Sequence, residues 1–201
     1  MKIYFFRSII AVLIFLNAVS LFSAPKEYNK KVDLKQSYMG FSIQTENGVI
    51  EGKFNLKSTS MNYTDTVLKS LEFVADMKSM QITQTDTKLS EGQIKKALCS
   101  AGFFNCDSFP EAKIVSKRLD RKPNDSYFTV ANLTLNNRPI EVKFVIAMNK
   151  FDTNDGFFTI FYIERQSNKV KYISQGKSDP INDKYFFDNL EFNLYIILAN
   201  K

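Results

Sequence analysis

The chain has 201 residues, of which 44% are hydrophobic and 24% charged, a balance typical of a globular domain and not of a disordered segment. It contains no His, which excludes Ser-His-Asp and Cys-His nucleophiles as well as His-ligated metal sites. Its net charge of +6 is too small an excess to indicate nucleic acid as a partner. The 19 Phe and the absence of Trp favour a large apolar core or a cavity for an apolar ligand.

The first residues have the pattern of a secretory signal peptide. Two cations precede an apolar run over residues 8–16, and Ala18-Val19-Ser20 fits the small-x-small cleavage rule. This predicts a signal peptide over residues 1–20, with the boundary between 20 and 24, and one domain over residues 21–201. A retained anchor is the alternative, for which the apolar run is marginal in length. An exported protein is expected in the periplasm or outside the cell.

The first part of the domain has the alternation of half-buried β-strands. Apolar and polar residues alternate over 41–44 and 71–77, and each segment predicts a strand. Asn47-Gly48 is a strong signal for a hairpin turn, after which a second strand is expected over residues 49–56. Gly52 inside that strand indicates a bulge or a close approach of another segment.

One short helix is predicted near residues 90–100. A polar stretch over 83–87 precedes it, and Ser90 and Gln93 then fit a capping box. Apolar residues follow at helical spacing, which gives the helix one apolar face. Gly102 is expected to end the helix in the left-handed conformation.

Cys99 and Cys106 are the two Cys residues of the chain, and export would place them where disulfides form. A bridge between them would close a loop of eight residues, stabilise the fold by about 2.5 kcal/mol and fix the helix end to the following aromatic turn. Two free thiols are the alternative. The C-x-x-C spacing of a redox-active pair is absent.

The second half of the domain continues as strands separated by turns. Residues 112–119 and 127–135 are expected to pair, and Asn136-Asn137 tolerates the positive φ of a tight turn. Further strands are predicted over residues 140–148, 157–163, 169–173 and 192–198. Several long strands, one helix and no βαβ rhythm predict an all-β fold with an antiparallel sheet or barrel.

A group of cations lies at the predicted turn between residues 119 and 127. Its members are Lys117, Arg118, Arg121 and Lys122. A solvated turn is one interpretation. The other is contact with anionic lipid head groups, which attract each basic residue near a charged membrane by about 1 kcal/mol.

Signals for catalysis and for metal binding are missing from the sequence. There is no G-x-S-x-G, no P-loop and no nucleotide-binding Gly pattern. Residues 152–156 superficially resemble a calcium loop but lack its register and its closing Glu, so they are interpreted as a plain turn. Paired carboxylates could serve glycoside hydrolysis, yet nothing singles out a pair. No cofactor and no metal are predicted, and the protein is not predicted to be an enzyme.

Four short motifs occur in an order that is typical of one family. They are Gly102-Phe103-Phe104-Asn105, Asp107-Ser108-Phe109-Pro110, Leu133-Thr134-Leu135 and Arg138-Pro139-Ile140. This order resembles the YceI-like family of secreted or periplasmic lipid-binding proteins. The resemblance implies a lipocalin-like antiparallel β-barrel of about eight strands. It also implies that the lumen holds a polyisoprenoid, an isoprenoid quinone-like molecule or a fatty acyl compound, with no bond chemistry.

In such a barrel, residues at alternate strand positions point into the lumen. The apolar residues predicted to line it are Phe41, Ile43, Phe54, Leu71, Phe73, Met77, Phe104, Phe109, Phe128, Val130, Phe144, Phe158, Ile160 and Leu194. Ordinary core packing is the alternative role for each of them. A register slip of one residue would turn every side chain of a strand to the other face.

Two functional hypotheses follow, and they differ in what fills the barrel. The first is an exported carrier that holds a long apolar lipid in the lumen. The second is a periplasmic or surface interaction module whose lumen is closed by its own side chains. Lipid extraction of the purified protein separates the two, because only the first hypothesis predicts a bound lipid.

Overall fold

The fold is one antiparallel sheet of eleven strands, shown by a computed structural model that describes residues 24–45, 48–151, 154–164 and 186–199. The strands are β1 (Glu27–Asn29), β2 (Tyr38–Thr45), β3 (Gly48–Thr64), β4 (Val67–Asp76), β5 (Gln81–Thr85), β6 (Glu111–Arg121), β7 (Tyr127–Leu135), β8 (Arg138–Ile146), β9 (Asn149–Phe151), β10 (Asn154–Glu164) and β11 (Phe186–Ile197). A 3₁₀-helix (Met77–Ser79) and α1 (Glu91–Leu98) lie between strands. The all-β fold that the sequence predicts is confirmed.

Hydrogen-bonded neighbours follow the order β8-β7-β6-β4-β3-β2-β11-β10-β9, while β1 and β5 each pair with β3. Eight strands have eight or more residues, and the other three are short. Most neighbours in the sheet are also neighbours along the chain, so the sheet is built mainly from hairpins. The eight long strands form the wall and agree in number with the predicted barrel of about eight strands, but hydrogen bonds do not close the sheet in the described part of the chain.

The sheet curls back on itself because β9 continues the path of β8. Two residues separate these strands, and β9 pairs with the start of β10, with Phe151 opposite Asn154. β8 is thereby brought beside β10, where the ring centroids of Phe144 and Phe161 lie 5.4 Å apart. In the described part of the chain, no ladder of hydrogen bonds joins β8 to β10. We call this β8–β10 junction the seam.

Alternation of side chains places the core on the inner face of the sheet. In β8, Ile140, Val142, Phe144 and Ile146 are buried while the residues between them are exposed. Successive side chains of a strand point to opposite faces, so this pattern gives the strand one dry and one wet face. The buried hydrophobic side chains form one cluster on the inner face of the curled sheet.

β3 is longer than the sequence predicts because its two halves pair with different neighbouring strands. Its first half pairs with β2 and β5, and its second half pairs with β4 and β1. Register shifts occur between Leu56 and Ser58 and between Asn62 and Tyr63, and such bulges bend a strand. Residues 57–60 are exposed or half-buried, so the sequence carries no apolar alternation there.

Residues with positive φ form tight turns that the sequence predicts. Asn136 and Asn137 have φ of 51° and 57° and join β7 to β8. Gly48 has φ of 123° at the start of β3, while its predicted turn partner Asn47 lies outside the described residues. Asn and Gly occupy these positions because both tolerate the left-handed region better than other residues.

α1 begins with the predicted capping box but does not end at Gly102. Its last residue is Leu98, whose carbonyl accepts a hydrogen bond of 2.9 Å from the Phe104 N–H. The left-handed residue after the helix is Asn105, with φ of 49°, and not Gly102. The returning chain satisfies the helix end, so a left-handed Gly is not required there.

Some of the sequence interpretation falls outside the described residues. This applies to the signal peptide over residues 1–20 with its boundary, to residues 152–153 of the predicted turn, and to the predicted strand over 169–173. Across the described ranges, no helix is long and apolar enough to span a membrane.

Candidate ligand-binding interior

Phe side chains form a row around half of the inner wall. The strand registers place Phe161 opposite Phe192, and Phe192 opposite Phe41. Phe144 extends the row across the seam, and the Phe161 and Phe192 rings stack with centroids 5.8 Å apart. The row ends at Gly52, which lies opposite Phe41. These four rings are almost fully buried, so they line the interior with aromatic surface.

The space over Gly52 is filled by the Phe41 ring. A Cβ atom at Gly52 would overlap that ring, and it would lie 2.6 Å from the Gln81 carbonyl oxygen of β5. The Gly is therefore needed for a close approach, as the sequence predicts. The ladder between β3 and β5 also shifts register between Glu51 and Gly52.

Gly52→Ala is expected to lower the free energy of unfolding by about 1–3 kcal/mol, because the added methyl group overpacks the Phe41 contact. Urea denaturation of the variant and the wild type measures the change. Gly92→Ala is the matched control. No atom lies within 4 Å of a Cβ at this helical Gly, so that change should stabilise by about 0.5–1 kcal/mol. A Gly52→Ala variant as stable as the wild type would contradict the packing described here.

The loop after α1 inserts two further rings into the same interior. Phe103 and Phe104 are 1% and 0% exposed, and their ring centroids are 4.6 Å apart. Three other rings surround that of Phe104, at centroid distances of 5.7 Å for Phe41, 5.6 Å for Phe54 and 6.2 Å for Phe192. Tilted and edge-on contacts of this kind stabilise beyond the area that they bury. This loop therefore closes one end of the interior with its own side chains.

A disulfide between Cys99 and Cys106 joins the two ends of this loop, with Cα atoms 4.9 Å apart. The bridge that the sequence predicts is confirmed. It connects the C-terminal cap of α1 to the residue after the left-handed Asn105. We call residues 99–106 the plug loop, because they carry Phe103 and Phe104 into the barrel.

In the described part of the chain, no charged residue is buried, and the buried polar residues are Ser and Thr. The Leu68 N–H donates a hydrogen bond of 3.0 Å to the hydroxyl of Tyr127. Burial raises the pKa of the Tyr63 hydroxyl, and the nearby Tyr127 and Tyr28 raise that pKa further. Tyr63 therefore stays neutral at ordinary pH. An interior of this kind suits a neutral apolar chain, since burying an unpaired charge is costly.

The structure buries ten of the fourteen side chains that the sequence predicts at the lumen. They are Phe41, Ile43, Phe54, Leu71, Phe73, Met77, Phe104, Val130, Phe144 and Leu194. All of them except Val130 belong to the hydrophobic cluster inside the barrel. Their contact with a ligand stays a prediction.

The predicted orientation is wrong for two residues of β10, Phe158 and Ile160. They are 45% and 39% exposed, whereas Phe157 and Phe161 are buried. Both alternate sets of this strand are apolar, so alternation in the sequence does not decide which set faces inwards. The pairing with β11 decides it, because Phe161 lies opposite the buried Phe192.

The predicted orientation is also wrong for Phe128 and Val130 in β7, and Phe109 is half-buried in a loop. The inner face of β7 carries Tyr127 and Thr129. Phe128 is half-buried, and Val130 is buried but lies outside the core cluster. Judged by apolarity alone, Phe128 and Val130 would be expected to face the lumen. Tyr127 can replace them inside because its hydroxyl has a hydrogen-bond partner.

Four inner rings are missing from the predicted set: Phe103, Phe157, Phe161 and Phe192. Phe192 lies two residues before the predicted Leu194, so alternation along β11 is a signal that identifies it. Phe161 has no such signal in the sequence, because its neighbours on both sides are apolar or aromatic.

The cations at the β6–β7 turn are mostly paired with nearby carboxylates. The ion pairs are Lys117–Glu141 at 3.0 Å, Arg118–Asp120 at 3.0 Å and Arg121–Asp125 at 3.0 Å from Arg121 Nε. The ammonium of Lys122 lies 5.8 Å from the centre of the Phe128 ring. Contact of this group with lipid head groups stays a prediction. No cluster of acidic or Cys side chains in the described ranges could hold a metal ion.

Comparison with known proteins identifies the family. The YceI-like domain matches residues 31–194, which is most of the chain. The chain belongs to the YceI-like family. The resemblance that the motif order indicates is thereby confirmed. A search of curated proteins finds no match to this YceI-like chain.

Three solved structures share the fold at low sequence identity. BcnA of Burkholderia cenocepacia has a TM-score of 0.67 and 16% identity, and the match covers 84% of this chain and 100% of BcnA. A polyisoprenoid binding domain from Saccharophagus degradans, implicated in plant cell wall breakdown, has a TM-score of 0.55 and 12% identity, with 85% and 97% covered. A mutant of the Campylobacter jejuni YceI protein has a TM-score of 0.51 and 13% identity, with 75% and 85% covered. At these identities the likeness shows the fold alone.

Proposed function

We propose that this YceI-like protein binds a long apolar chain inside its barrel and carries it without making or breaking bonds. The observation that carries the proposal is the interior itself. It is uncharged, and a row of Phe rings lines it from the seam to the plug loop. Membership of the YceI-like family supports a binding protein over an enzyme.

The ligand class is a polyisoprenoid, an isoprenoid quinone-like molecule or a fatty acyl compound. The neighbour from Saccharophagus degradans is a polyisoprenoid binding domain with the same fold, which supports the first of these. Each of the three classes presents a hydrocarbon chain to protein side chains, and aromatic and aliphatic walls accept all three.

The energetics of such a carrier depend on where its ligand comes from. Burying one CH₂ group is worth about 0.8 kcal/mol relative to water, so a chain of several isoprene units would exceed the practical affinity limit of about 20 kcal/mol. A membrane is the relevant reference state, because the chain is already dry there. Transfer into the barrel is then close to balanced, which allows a carrier both to load and to release its ligand.

Organic extraction of the purified full-length protein, followed by mass spectrometry, tests the proposal. We expect a stoichiometric lipid with a long hydrocarbon chain in the extract. Protein that is consistently free of lipid, and that takes up none from vesicles, would contradict the proposal.

The second candidate function is an interaction module with a filled core. The contacts of Phe104 favour it, because its ring is in contact range of those of Phe41, Phe54 and Phe192. A ligand chain reaching that end would have to displace these side chains. A protein that extracts as lipid-free would support this candidate over the carrier.

We further propose that the protein is exported to the periplasm or secreted. The support is the signal-peptide pattern over residues 1–20 and a disulfide, which is typical of oxidising compartments. Mass spectrometry of the mature N-terminus in the exported fraction tests this. A chain that keeps Met1 and remains in the cytoplasm would contradict it.

A further inference from the structure

We propose that the seam is the passage by which the ligand chain moves between the barrel and a lipid bilayer, and that the apolar residues outside the seam dock on the bilayer surface. This inference rests on the proposed function, because it requires an apolar chain to be carried. It concerns a different part of the molecule, the junction of β8 and β10 and its outer face.

At the seam, β8 and β10 are aligned in antiparallel register, although no ladder of hydrogen bonds joins them. In the β9–β10 ladder, Phe151 lies opposite Asn154. Continuing this register back into β8 places Phe144 opposite Phe161, and the 5.4 Å between their ring centroids agrees with it. The two strands therefore face each other through side chains and not through backbone hydrogen bonds.

Opening the barrel costs least at the seam. Ladders of N–H···O bonds join the other neighbouring long strands of the wall in the described ranges, and separating those strands would leave buried backbone groups without partners. At the seam, only side-chain contacts such as that of Phe144 with Phe161 have to be broken.

The outer side of the seam is unusually apolar. We call its exposed residues the seam patch: Val145 (50% exposed), Phe158 (45%), Ile160 (39%) and Tyr162 (62%). The described part of the chain has six large hydrophobic residues that are exposed, and four of them belong to this patch. The β9–β10 register, continued, places Val145 opposite Ile160, so the patch covers both sides of the seam. Contiguous exposed apolar surface of this kind marks a binding surface.

An apolar route leads from the seam patch into the interior. Behind the patch, Phe144 and Phe161 occupy the inner side of the seam. The Phe161 ring stacks on that of Phe192, whose centroid is 6.2 Å from that of Phe104 in the plug loop. A hydrocarbon chain that enters at the seam would therefore meet aromatic rings between the seam and the plug loop.

A bilayer fits this surface by charge and by composition. Between residues 117 and 145, on the hairpins beside the seam, the chain has six Lys or Arg and three Asp or Glu, which leaves a surplus of three positive charges. Anionic lipid surfaces attract such a surplus.

Tyr162 has a polar tip that is hydrogen-bonded to Glu191, and that carboxylate raises the pKa of the hydroxyl. An aromatic body with a polar tip is typical of residues at membrane interfaces.

Single Trp probes test the docking surface, because the natural chain contains no Trp. Tyr162→Trp places an indole in the seam patch. Tyr28→Trp is the matched control, since Tyr28 is also exposed but pairs with Tyr63 of β3, a strand far from the seam in the sheet order. Each full-length variant is mixed with vesicles of phosphatidylglycerol and brominated phosphatidylcholine. We expect a blue shift and bromine quenching for Tyr162→Trp and neither for Tyr28→Trp.

A cross-link across the seam tests the passage itself. Val145→Cys with Ile160→Cys should form a disulfide on the outer side, whose presence is verified by peptide mapping. The control pair is Asn62→Cys with Ser70→Cys, because these two residues lie opposite each other in the β3–β4 ladder. Transfer of the extracted lipid between vesicles is then measured. We expect loss of transfer in the oxidised seam variant, recovery on reduction, and no loss in the control pair.

Several outcomes would overturn the inference. They are equal quenching of the two Trp variants, transfer that persists in the locked seam variant, and sedimentation that shows a stable dimer which a charged substitution at Tyr162 dissociates. If any of these is found while the purified protein still yields a bound lipid, the seam inference fails and the proposed function stands. A protein that is free of lipid and that takes up none from vesicles overturns both.

Discussion

Phe104→Ala is expected to lower the free energy of unfolding by about 3–5 kcal/mol, the range for truncating a fully buried Phe. The ring is 0% exposed and is in contact range of rings from the plug loop, β2, β3 and β11. Those partners belong to ladders and to a disulfide-closed loop, so they can fill the space only partly. The residual cavity adds to the transfer free energy that is lost.

Urea denaturation of lipid-free protein measures this change. Phe158→Ala is the matched control, because Phe158 is 45% exposed on the outer face of β10 and its truncation should cost less than about 1 kcal/mol. Equal losses for the two variants would contradict the packing of Phe104. A ligand that reaches the plug loop would occupy the new cavity. Saturation with the extracted lipid should then stabilise Phe104→Ala more than it stabilises the wild type.

The sequence predicts those strands that have one apolar and one polar face. β8 is such a strand, because its buried residues alternate with exposed ones. The turn at Asn136-Asn137 is predictable for an equally local reason, since few other residues accept its φ values. In these places the local signal and the tertiary structure agree, so a single sequence is sufficient.

Other parts of the fold depend on contacts that the local sequence does not encode. β5 forms in a polar stretch because it pairs with β3, and its burial pattern shows no inward face that alternation would reveal. β9 has three residues and is defined by its pairing with β10. The seam follows from that pairing, so it too could not be predicted from composition or periodicity.

Some residues of the candidate site can likewise be identified from the sequence, and others require the pairing of strands. Phe104 is identified by the motif order of the YceI-like family, and Phe41 and Phe54 by alternation along their strands. The inward set of β10 requires the register with β11, because Phe158 and Ile160 are as apolar as the residues that face inwards. That error is informative. The sequence places apolar residues on both faces of β10, and the outer set is the larger part of the seam patch.

Removing the disulfide with Cys99→Ala and Cys106→Ala is expected to lower the free energy of unfolding by about 2.5 kcal/mol. The reason lies in the unfolded state, where an open chain has more conformations than one closed between residues 99 and 106. Urea denaturation of the oxidised wild type and of the variant measures the difference. Reductant should reproduce the loss in the wild type and should leave the variant unchanged.

The same substitutions in a Phe104→Ala background separate two roles of the bridge. If the bridge acts only on the unfolded chain, its removal should cost about 2.5 kcal/mol in both backgrounds. If it also holds the plug loop against the surrounding rings, its removal should cost less once the Phe104 ring is absent, because those contacts no longer depend on it. We expect the two losses to add, since backbone contacts such as the 2.9 Å hydrogen bond from Phe104 N–H to the Leu98 carbonyl already fix the loop. A marked deficit from additivity would contradict this and would show that the bridge positions the plug.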